Sequence, residues 1–219
     1  MARHAGRPYL EIEGLAHSAM IAKMRSLRLA VERSTQAIEL ARQHGLDEEP
    51  VAAFAYTTLG ITKSCQGQLE EAARWLDQAE QVIRPEIQPV TAMLLHTSRG
   101  TLELARGRAT DALAAYRTAE RLAELVVPRH MVTTWMTAGQ LHARLRLGET
   151  RQVDAVLAGL DGEQRETGVM RIVLATLRLA RGDPQAASDA LAAVLDGSVP
   201  HAAGLQRDGA GFPAGGDRP

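Results

Sequence analysis

The sequence contains few residues of the kinds that build sheets, disulfide frameworks or membrane spans. Aromatic residues make up 3% of the 219 residues, so the core must consist of Leu, Ala, Val and Ile, which suits packed helices better than sheets. The single cysteine, Cys65, has no partner for an internal disulfide, which favours a reducing environment. No apolar run approaches the ~18 residues of a membrane helix, and the N-terminus lacks the apolar segment of a signal peptide. We therefore expect a cytoplasmic protein without membrane association.

Net charge is also small. The chain has 25 basic and 26 acidic residues, which gives a formal net charge of -1. Such a chain has no overall field to attract nucleic acid or anionic lipid. The closest arginine groupings, Arg106 with Arg108 and Arg144 with Arg146, are isolated pairs and too sparse for a nucleic-acid-binding stripe. The composition thus predicts no direct binding to nucleic acid.

A short pattern recurs along the chain. Ala72, Leu76 and Ala79 stand five, nine and twelve positions after Gly67. These offsets differ by four and three, so the three residues fall on one face of a helix. The same offsets give Ala112, Tyr116 and Ala119 after Gly107; Val153, Leu157 and Leu160 after Gly148; Ala187, Leu191 and Val194 after Gly182; and, more weakly, Ala30, Ser34 and Ala37 after Arg25.

The spacing of these copies is typical of a helical repeat protein. Their origins lie 42, 40, 41 and 34 residues apart, in the range of helical solenoids. A glycine can adopt the left-handed conformation that ends one helix before the next begins. Alanines at offsets five and twelve let two helices approach, and the larger residue at nine fills the space between them. The sequence therefore predicts an all-α fold, a right-handed α-α superhelix, as a tetratricopeptide-like (TPR-like) solenoid of about five helical hairpins.

Proline and glycine positions predict three regions. Residues 1–8 form a loose N-terminus, and 9–196 form the TPR-like repeat domain. Residues 197–219 are rich in Gly and Pro without helical periodicity, which predicts a disordered tail. The five predicted helix pairs are 9–24 with 27–43, 51–66 with 69–83, 90–106 with 109–125, 131–147 with 151–160, and 163–181 with 184–195.

The first helices match the tetratricopeptide pattern only in part. Gly60 and Gly100 stand seven positions before their turn glycines, as that repeat expects, and Tyr56 supplies the usual aromatic residue. The corresponding position holds Ser18, Leu141 or Ala175 in the other copies. The period of about 40 is also longer than the 34 residues of the standard repeat.

Longer stretches resemble a narrower family. These stretches are 7–12, 37–45, 70–85, 102–108 and 177–184. Over about residues 7–199 the chain resembles the helical-repeat region of the large ATP-dependent LuxR-type transcriptional regulators, the MalT-like group. In that family the region lies between an ATPase module and a DNA-binding helix-turn-helix. The resemblance implies a region that receives an inducer or a partner protein and passes the signal on.

The chemistry of an enzyme is not apparent in the sequence. No Gly-x-x-x-x-Gly-Lys-Ser/Thr motif suggests a nucleotide site, and the seven histidines form no pair at i and i+4. His96 and His142 lie on first helices of adjacent hairpins and could approach each other, but partly buried histidines explain them without a metal. Cys65 is explained by packing at a helix end rather than as a nucleophile. We expect no catalytic, cofactor-binding or metal site.

A candidate binding face follows from the geometry of such solenoids, in which the first helices line the concave surface. Counting back thirteen, ten and six positions from the turn glycines gives the principal candidates, and three and two positions give further ones. The principal candidates are Phe54, Thr57, Ile61, Leu94, Thr97, Thr101, Trp135 and His142. The others are Ala138, which stands ten positions before its glycine, and Ser64, Cys65, Leu104, Ala105, Leu145 and Arg146. This strip is mostly apolar, and it is either simply core or a groove for a ligand or peptide, with Trp135 as the anchor.

The leading functional hypothesis is a non-catalytic helical-repeat scaffold that binds a protein, a peptide or a small effector. The resemblance of the chain to the MalT-like group suggests that this scaffold is the sensor or interaction region of a LuxR-type transcriptional regulator. One alternative is a free-standing TPR-like adaptor between proteins. A second alternative, an enzyme with its site in the solenoid groove, is disfavoured because no acid, base or metal constellation accompanies the groove.

Overall fold

The computed structural model describes residues 7–125 and 131–199. Within these segments the chain forms eleven α-helices, one short 3-10 turn at Pro50–Ala52 and no strand. The helices are α1 (Pro8–Lys23), α2 (Leu27–Gln43), α3 (Ala53–Cys65), α4 (Leu69–Val82), α5 (Pro89–Ala105), α6 (Ala109–Ala123), α7 (Met131–Arg146), α8 (Thr150–Gly159), α9 (Gly162–Arg165), α10 (Gly168–Ala180) and α11 (Pro184–Leu195). The predicted all-α class is confirmed for this part of the chain.

Turn glycines end the first helix of the second to fifth pairs. Gly67, Gly107, Gly148 and Gly182 all have φ between 75° and 78°, a conformation that side chains with a Cβ rarely adopt. At Gly107 the glycine N–H donates to the Leu104 carbonyl oxygen at 3.0 Å, and the next N–H donates to Glu103 at 2.8 Å. These two bonds satisfy carbonyl groups that the end of α5 would leave unpaired.

The repeated offsets face the interior in the first three pairs. Ala72, Leu76 and Ala79 are fully buried, and so are the corresponding residues of α2 and α6. Leu76 packs on Gly60 of α3 so closely that a Cβ there would lie 2.7 Å from its side chain. The glycine seven positions before the turn glycine therefore leaves space for the large side chain nine positions after the turn glycine.

The last two pairs follow the pattern less tightly. Leu157 and Leu191 stand at offset nine but are only half-buried. In the fourth pair, buried Leu141 occupies the position that Gly60 and Gly100 hold in the second and third. With a leucine at that position, the leucine at offset nine has no room to pack against the helix backbone.

Successive first helices pack on one another. Helix α1 contacts α3, α3 contacts α5, α5 contacts α7 and α7 contacts α10. Each second helix up to α6 also contacts the first helix that follows it. Buried residues along this arrangement form three apolar clusters, which involve α1–α5, then α5–α7, then α7, α8 and α10.

Two segments differ from the sequence prediction. The predicted first helix at 163–181 is divided into α9 and α10. Asp161 caps α9 by accepting the Gln164 N–H at 2.8 Å, and Thr167 is extended with ψ 144°, which breaks the helix. Residues 197–199, assigned to the tail, instead close α11, where the Val199 N–H donates to the Ala193 carbonyl oxygen at 2.7 Å. The rest of the predicted tail, 200–219, and residues 1–6 of the predicted loose N-terminus lie outside the described residues.

Several acidic side chains form ion pairs between neighbouring helices. Arg99 of α5 reaches Asp77 of α4 at 2.7 Å and Glu80 at 2.9 Å. Arg106 reaches Glu70 at 2.7 Å. Because the carboxylates are more than half exposed, such pairs contribute little stability each, but they fix how α4 lies against α5.

Ala112→Leu should destabilise the protein by about 1–3 kcal/mol, because overpacking a closely packed position forces neighbouring side chains and backbone apart. Ala112 is fully buried on α6, in the cluster shared by α5, α6 and α7. Urea denaturation followed by circular dichroism measures the change. Ala114→Leu, at an exposed site on the same helix, is the matched control. Equal stability of Ala112→Leu and wild type would contradict the assigned packing.

Candidate functional site

A cavity of about 390 Å³ opens among the first helices of all five pairs. It is the site that the geometry offers for a ligand, since small-molecule pockets typically enclose roughly 300–1,000 Å³. The lining residues are Lys23, Met24, Ile61, Cys65, Leu94, Thr97, Thr101, Leu104, Tyr116, Trp135, Ala138, Gly139, His142, Val169 and Ile172. Most of these side chains are apolar, and none is acidic.

The structure brings six of the eight principal candidates to this cavity. Ile61, Leu94, Thr97, Thr101, Trp135 and His142 line it. Phe54 lies elsewhere and stacks on His17 of α1, with ring centroids 4.4 Å apart. Thr57 is fully buried, and its hydroxyl donates to the Ala53 carbonyl oxygen at 2.8 Å. Helix α1 packs on α3, which explains why these two residues near the start of α3 are covered.

The lining positions shift steadily along successive helices. Helix α1 contributes from its C-terminal end, at Lys23 and Met24, whereas α10 contributes from its N-terminal end, at Val169 and Ile172. Helices α5 and α7 contribute from positions between these extremes. The cavity therefore crosses the row of first helices obliquely.

The predicted binding face drew on the second, third and fourth repeats only. The same offsets in the first and fifth repeats give three more lining residues, which are Lys23, Val169 and Ile172. Val169 and Ile172 stand thirteen and ten positions before Gly182, the same offsets that gave Leu94 and Thr97. Lys23 stands two positions before Arg25, as Cys65 does before Gly67. The signal was thus present in the sequence. Tyr116 was expected only as a packing residue of the second helix.

Two threonines of α5 line the cavity. The Thr97 hydroxyl donates to the Met93 carbonyl oxygen at 2.8 Å, and the Thr101 hydroxyl lies within hydrogen-bond distance of the Thr97 carbonyl oxygen, at 3.0 Å. The single proton of Thr97 is therefore committed to the helix backbone, whereas the Thr101 hydroxyl also contacts the phenol of Tyr116.

Tyr116 closes the cavity from α6. Its ring inserts where α5 and α7 carry glycines: a Cβ at Gly100 would lie 2.6 Å from the ring, and one at Gly139 would lie 2.3 Å from it. The phenol oxygen lies 3.2 Å from the Thr101 hydroxyl oxygen. Burial raises the pKa of Tyr116 to about 12, so the phenol stays neutral.

His142 is the polar side chain whose hydrogen bonds remain unused. The ring is half-buried and makes no hydrogen bond to any residue of the described segments. Burial, aided by the positive charge of Arg146, lowers the pKa of His142, so the imidazole is neutral near pH 7. A neutral imidazole offers one N–H donor and one acceptor nitrogen. His96, the other histidine considered as a metal ligand, does not line this cavity.

Lys23 supplies the one permanent charge of the lining. Its ammonium nitrogen lies 5.7 Å from the centroid of the Trp135 ring, within cation–π range. No carboxylate of residues 7–125 or 131–199 lies within ion-pairing distance of it. The other lysine, Lys63, behaves differently, because it pairs with Glu71 of α4 at 3.1 Å.

Across the described part of the chain, no three His, Cys, Asp or Glu side chains are grouped as metal ligands would be. Among the described lining residues of the cavity, none is a carboxylate that could act as a general base.

No protein-family model, curated protein or solved structure matches the chain. The resemblance to the MalT-like regulators therefore remains a prediction from the sequence alone. Among the described helices, none combines the length and the apolar character needed to cross a bilayer.

Trp135 gives a direct optical test of whether the cavity is accessible. With Trp75 replaced by Phe, acrylamide should quench Trp135 readily, because the indole is half-buried in an open wall. Trp75 must be removed since it lies apart, stacked on Tyr56 with centroids 5.9 Å apart. In the complementary variant Trp135→Phe, acrylamide quenching of the remaining Trp75 provides the comparison. Complete shielding of Trp135 without any ligand would mean that the cavity is closed in solution.

Proposed function

We propose that this protein is a non-catalytic helical-repeat scaffold that binds a small effector in the cavity between its first helices. The observation that carries the proposal is the lining itself. First helices of all five pairs contribute to one apolar cavity, and its imidazole has no hydrogen-bond partner among residues 7–125 and 131–199. An apolar wall with a few oriented polar groups is the usual composition of a small-molecule site.

A right-handed, TPR-like superhelix is the arrangement that we propose for the five helix pairs. Two features support it. First helices contact one another in succession, as stacked repeats do, and the lining residues shift obliquely from one first helix to the next. Such a shift is expected when each pair is rotated slightly relative to the one before.

The size of the cavity favours a small effector over a protein or peptide partner. Its volume of about 390 Å³ lies near the lower end of the range for drug-sized ligands. A bound peptide segment of several residues would need a larger volume than this. By analogy with the MalT-like regulators that the sequence resembles, the proposed biological role is a cytoplasmic sensor region whose occupancy is passed to a transcriptional response. No direct contact with nucleic acid is part of this role.

Binding can be tested with N-phenylnaphthylamine (NPN), an uncharged apolar dye whose fluorescence rises in apolar surroundings. We expect saturable binding of one NPN per chain, together with quenching or energy transfer from Trp135 in the Trp75→Phe variant. The only cysteine provides an independent report of location, because exposed Cys65 also lines the cavity. Saturating NPN should slow alkylation of Cys65 by iodoacetamide.

A filled cavity provides the matched control. Leu104→Trp places a larger side chain on a half-buried lining position, and it should abolish NPN binding while leaving the helical circular dichroism unchanged. Leu40→Trp makes the same exchange at a half-buried position outside the cavity and should leave binding intact. Lack of saturable binding by the wild type, or binding that leaves Cys65 unprotected, would refute the site.

A further inference from the structure

We infer that the effector is a small apolar organic anion, such as an aromatic or aliphatic carboxylate, whose acidic group pairs with Lys23. This inference rests on the proposed function, because it concerns the ligand of the same cavity. It follows from the charge of the lining, from the partners that its polar groups already have, and from the position of Lys23 beside Trp135.

The described residues give the cavity a positive charge. Among those that line it, Lys23 is the one permanently charged side chain, and none is Asp or Glu. The remaining titratable groups of the lining are Cys65, Tyr116 and His142. A ligand that carried a cation would meet uncompensated repulsion here, whereas an anion would be neutralised.

The contacts of Lys23 differ from those of Lys63 and Arg106. Lys63 is paired with Glu71, and Arg106 is paired with Glu70 and Glu103. Within the described segments Lys23 has the face of Trp135 instead of a carboxylate. Contact with the uncharged indole holds the ammonium group near the cavity without neutralising its charge. The ammonium group therefore remains available to pair with an anion.

Polar groups at the other positions restrict where the acid can lie. The Thr97 hydroxyl proton is bound to the Met93 carbonyl oxygen, so Thr97 offers no proton to a carboxylate. Lys23 is the charged side chain among the described lining residues, so the acidic group of the ligand belongs at the Lys23 end. The body of the ligand then lies along apolar residues such as Leu94 and Ile172.

Two dyes of the same shape separate charge recognition from apolar binding. Anilinonaphthalene sulfonate (ANS) is NPN with an added sulfonate group. In Lys23→Met, which keeps most of the side-chain volume, we expect the Kd for ANS to rise about tenfold, as when one charge-assisted hydrogen bond is lost. The Kd for NPN should change by less than about twofold, since NPN carries no charge to lose. Lys23→Arg should retain the affinity for ANS.

The second lysine is the matched control. Lys63→Met removes the same charge from α3, but Lys63 is paired with Glu71 and does not line the cavity. It should leave the Kd values for both dyes unchanged. Competition then tests the natural chemistry: octanoate and phenylacetate should displace ANS at concentrations about tenfold lower than octanol and phenethyl alcohol do.

The possible outcomes separate the two proposals. If neither dye protects Cys65, the proposed function itself fails. If NPN binds and protects Cys65 but Lys23→Met leaves the affinity for ANS unchanged, the cavity stands and the anion inference is overturned. An equal loss for both dyes would assign Lys23 a packing role and would also overturn the inference, as would acids and alcohols that compete equally.

Discussion

Gly139→Ala is expected to lower the free energy of unfolding by about 2 kcal/mol. The new Cβ would lie 2.3 Å from the ring and the phenol oxygen of Tyr116, a distance that no relaxed contact permits. Tyr116 cannot easily retreat, because its ring also abuts Gly100 on α5. Overpacking of this kind costs about 1–3 kcal/mol and occasionally more, and the gain of about 1 kcal/mol in helix propensity offsets only part of it. Urea denaturation measures the difference.

Gly14→Ala is the matched control for this experiment. Gly14 lies inside α1, is exposed, and would place its Cβ with nothing within 4 Å. Here the same exchange should stabilise the protein by about 0.5–1 kcal/mol, because alanine loses less conformational entropy than glycine when a helix forms.

A second control removes the obstacle. In a Tyr116→Leu background the phenol is gone, so Gly139→Ala should cost much less than it does in the wild type. If Gly139→Ala costs the same in both backgrounds, or stabilises the wild type as Gly14→Ala does, the insertion of Tyr116 between α5 and α7 is wrong.

Alkaline pH should destabilise the protein through the same tyrosine. Burial raises the pKa of Tyr116 from 10.0 to about 12. The unfolded chain therefore loses this proton above pH 10, while the folded protein holds it until about pH 12. Between these values the folded state binds more protons than the unfolded state, so the free energy of unfolding falls as pH rises. A shift of about two units corresponds to about 3 kcal/mol, fully lost only above pH 12.

Tyr116→Phe is the variant that isolates this effect. It should be less stable than the wild type at pH 8, because the hydrogen bond to Thr101 is lost. Between pH 10 and 12, however, its stability should decline less steeply. Tyr56, whose pKa is also raised mainly by burial, contributes equally to both proteins and cancels in the comparison. Parallel decline of the two proteins over this range would show that Tyr116 ionises normally.

The helix pattern of this chain follows from local rules that a sequence displays directly. Helix α2 has the predicted bounds Leu27–Gln43 and α11 has Pro184–Leu195, because Ser26 and Asp183 supply N-caps and glycine or proline marks the ends. The offsets five, nine and twelve also identified the buried faces of α2, α4 and α6. Each of these features depends on residues close together in the chain.

Prediction was weaker where the outcome depended on neighbours in space. Phe54 and Thr57 have the offsets of lining residues, but α1 packs over that part of α3 and removes them from the cavity. The break between α9 and α10 at extended Thr167 is a separate case, because it is local to the chain and the apolar pattern did not reveal it. The cavity also required Lys23 of α1 to meet Trp135 of α7, which are 112 positions apart in the sequence.

The sequence by itself determined that the described chain is helical, where most of its helices end and which faces of the early pairs are buried. These features follow from helix caps, left-handed glycines and apolar periodicity, each of which acts over a few neighbouring residues. Only the tertiary structure decided which of the predicted lining residues meet at one cavity. It also decided that Tyr116 fills the gap between two glycine-bearing helices and that Lys23 contacts the indole of Trp135. Those outcomes depend on how each helix pair is rotated against the next, and that rotation is set by side-chain volumes at contacts far apart in the chain.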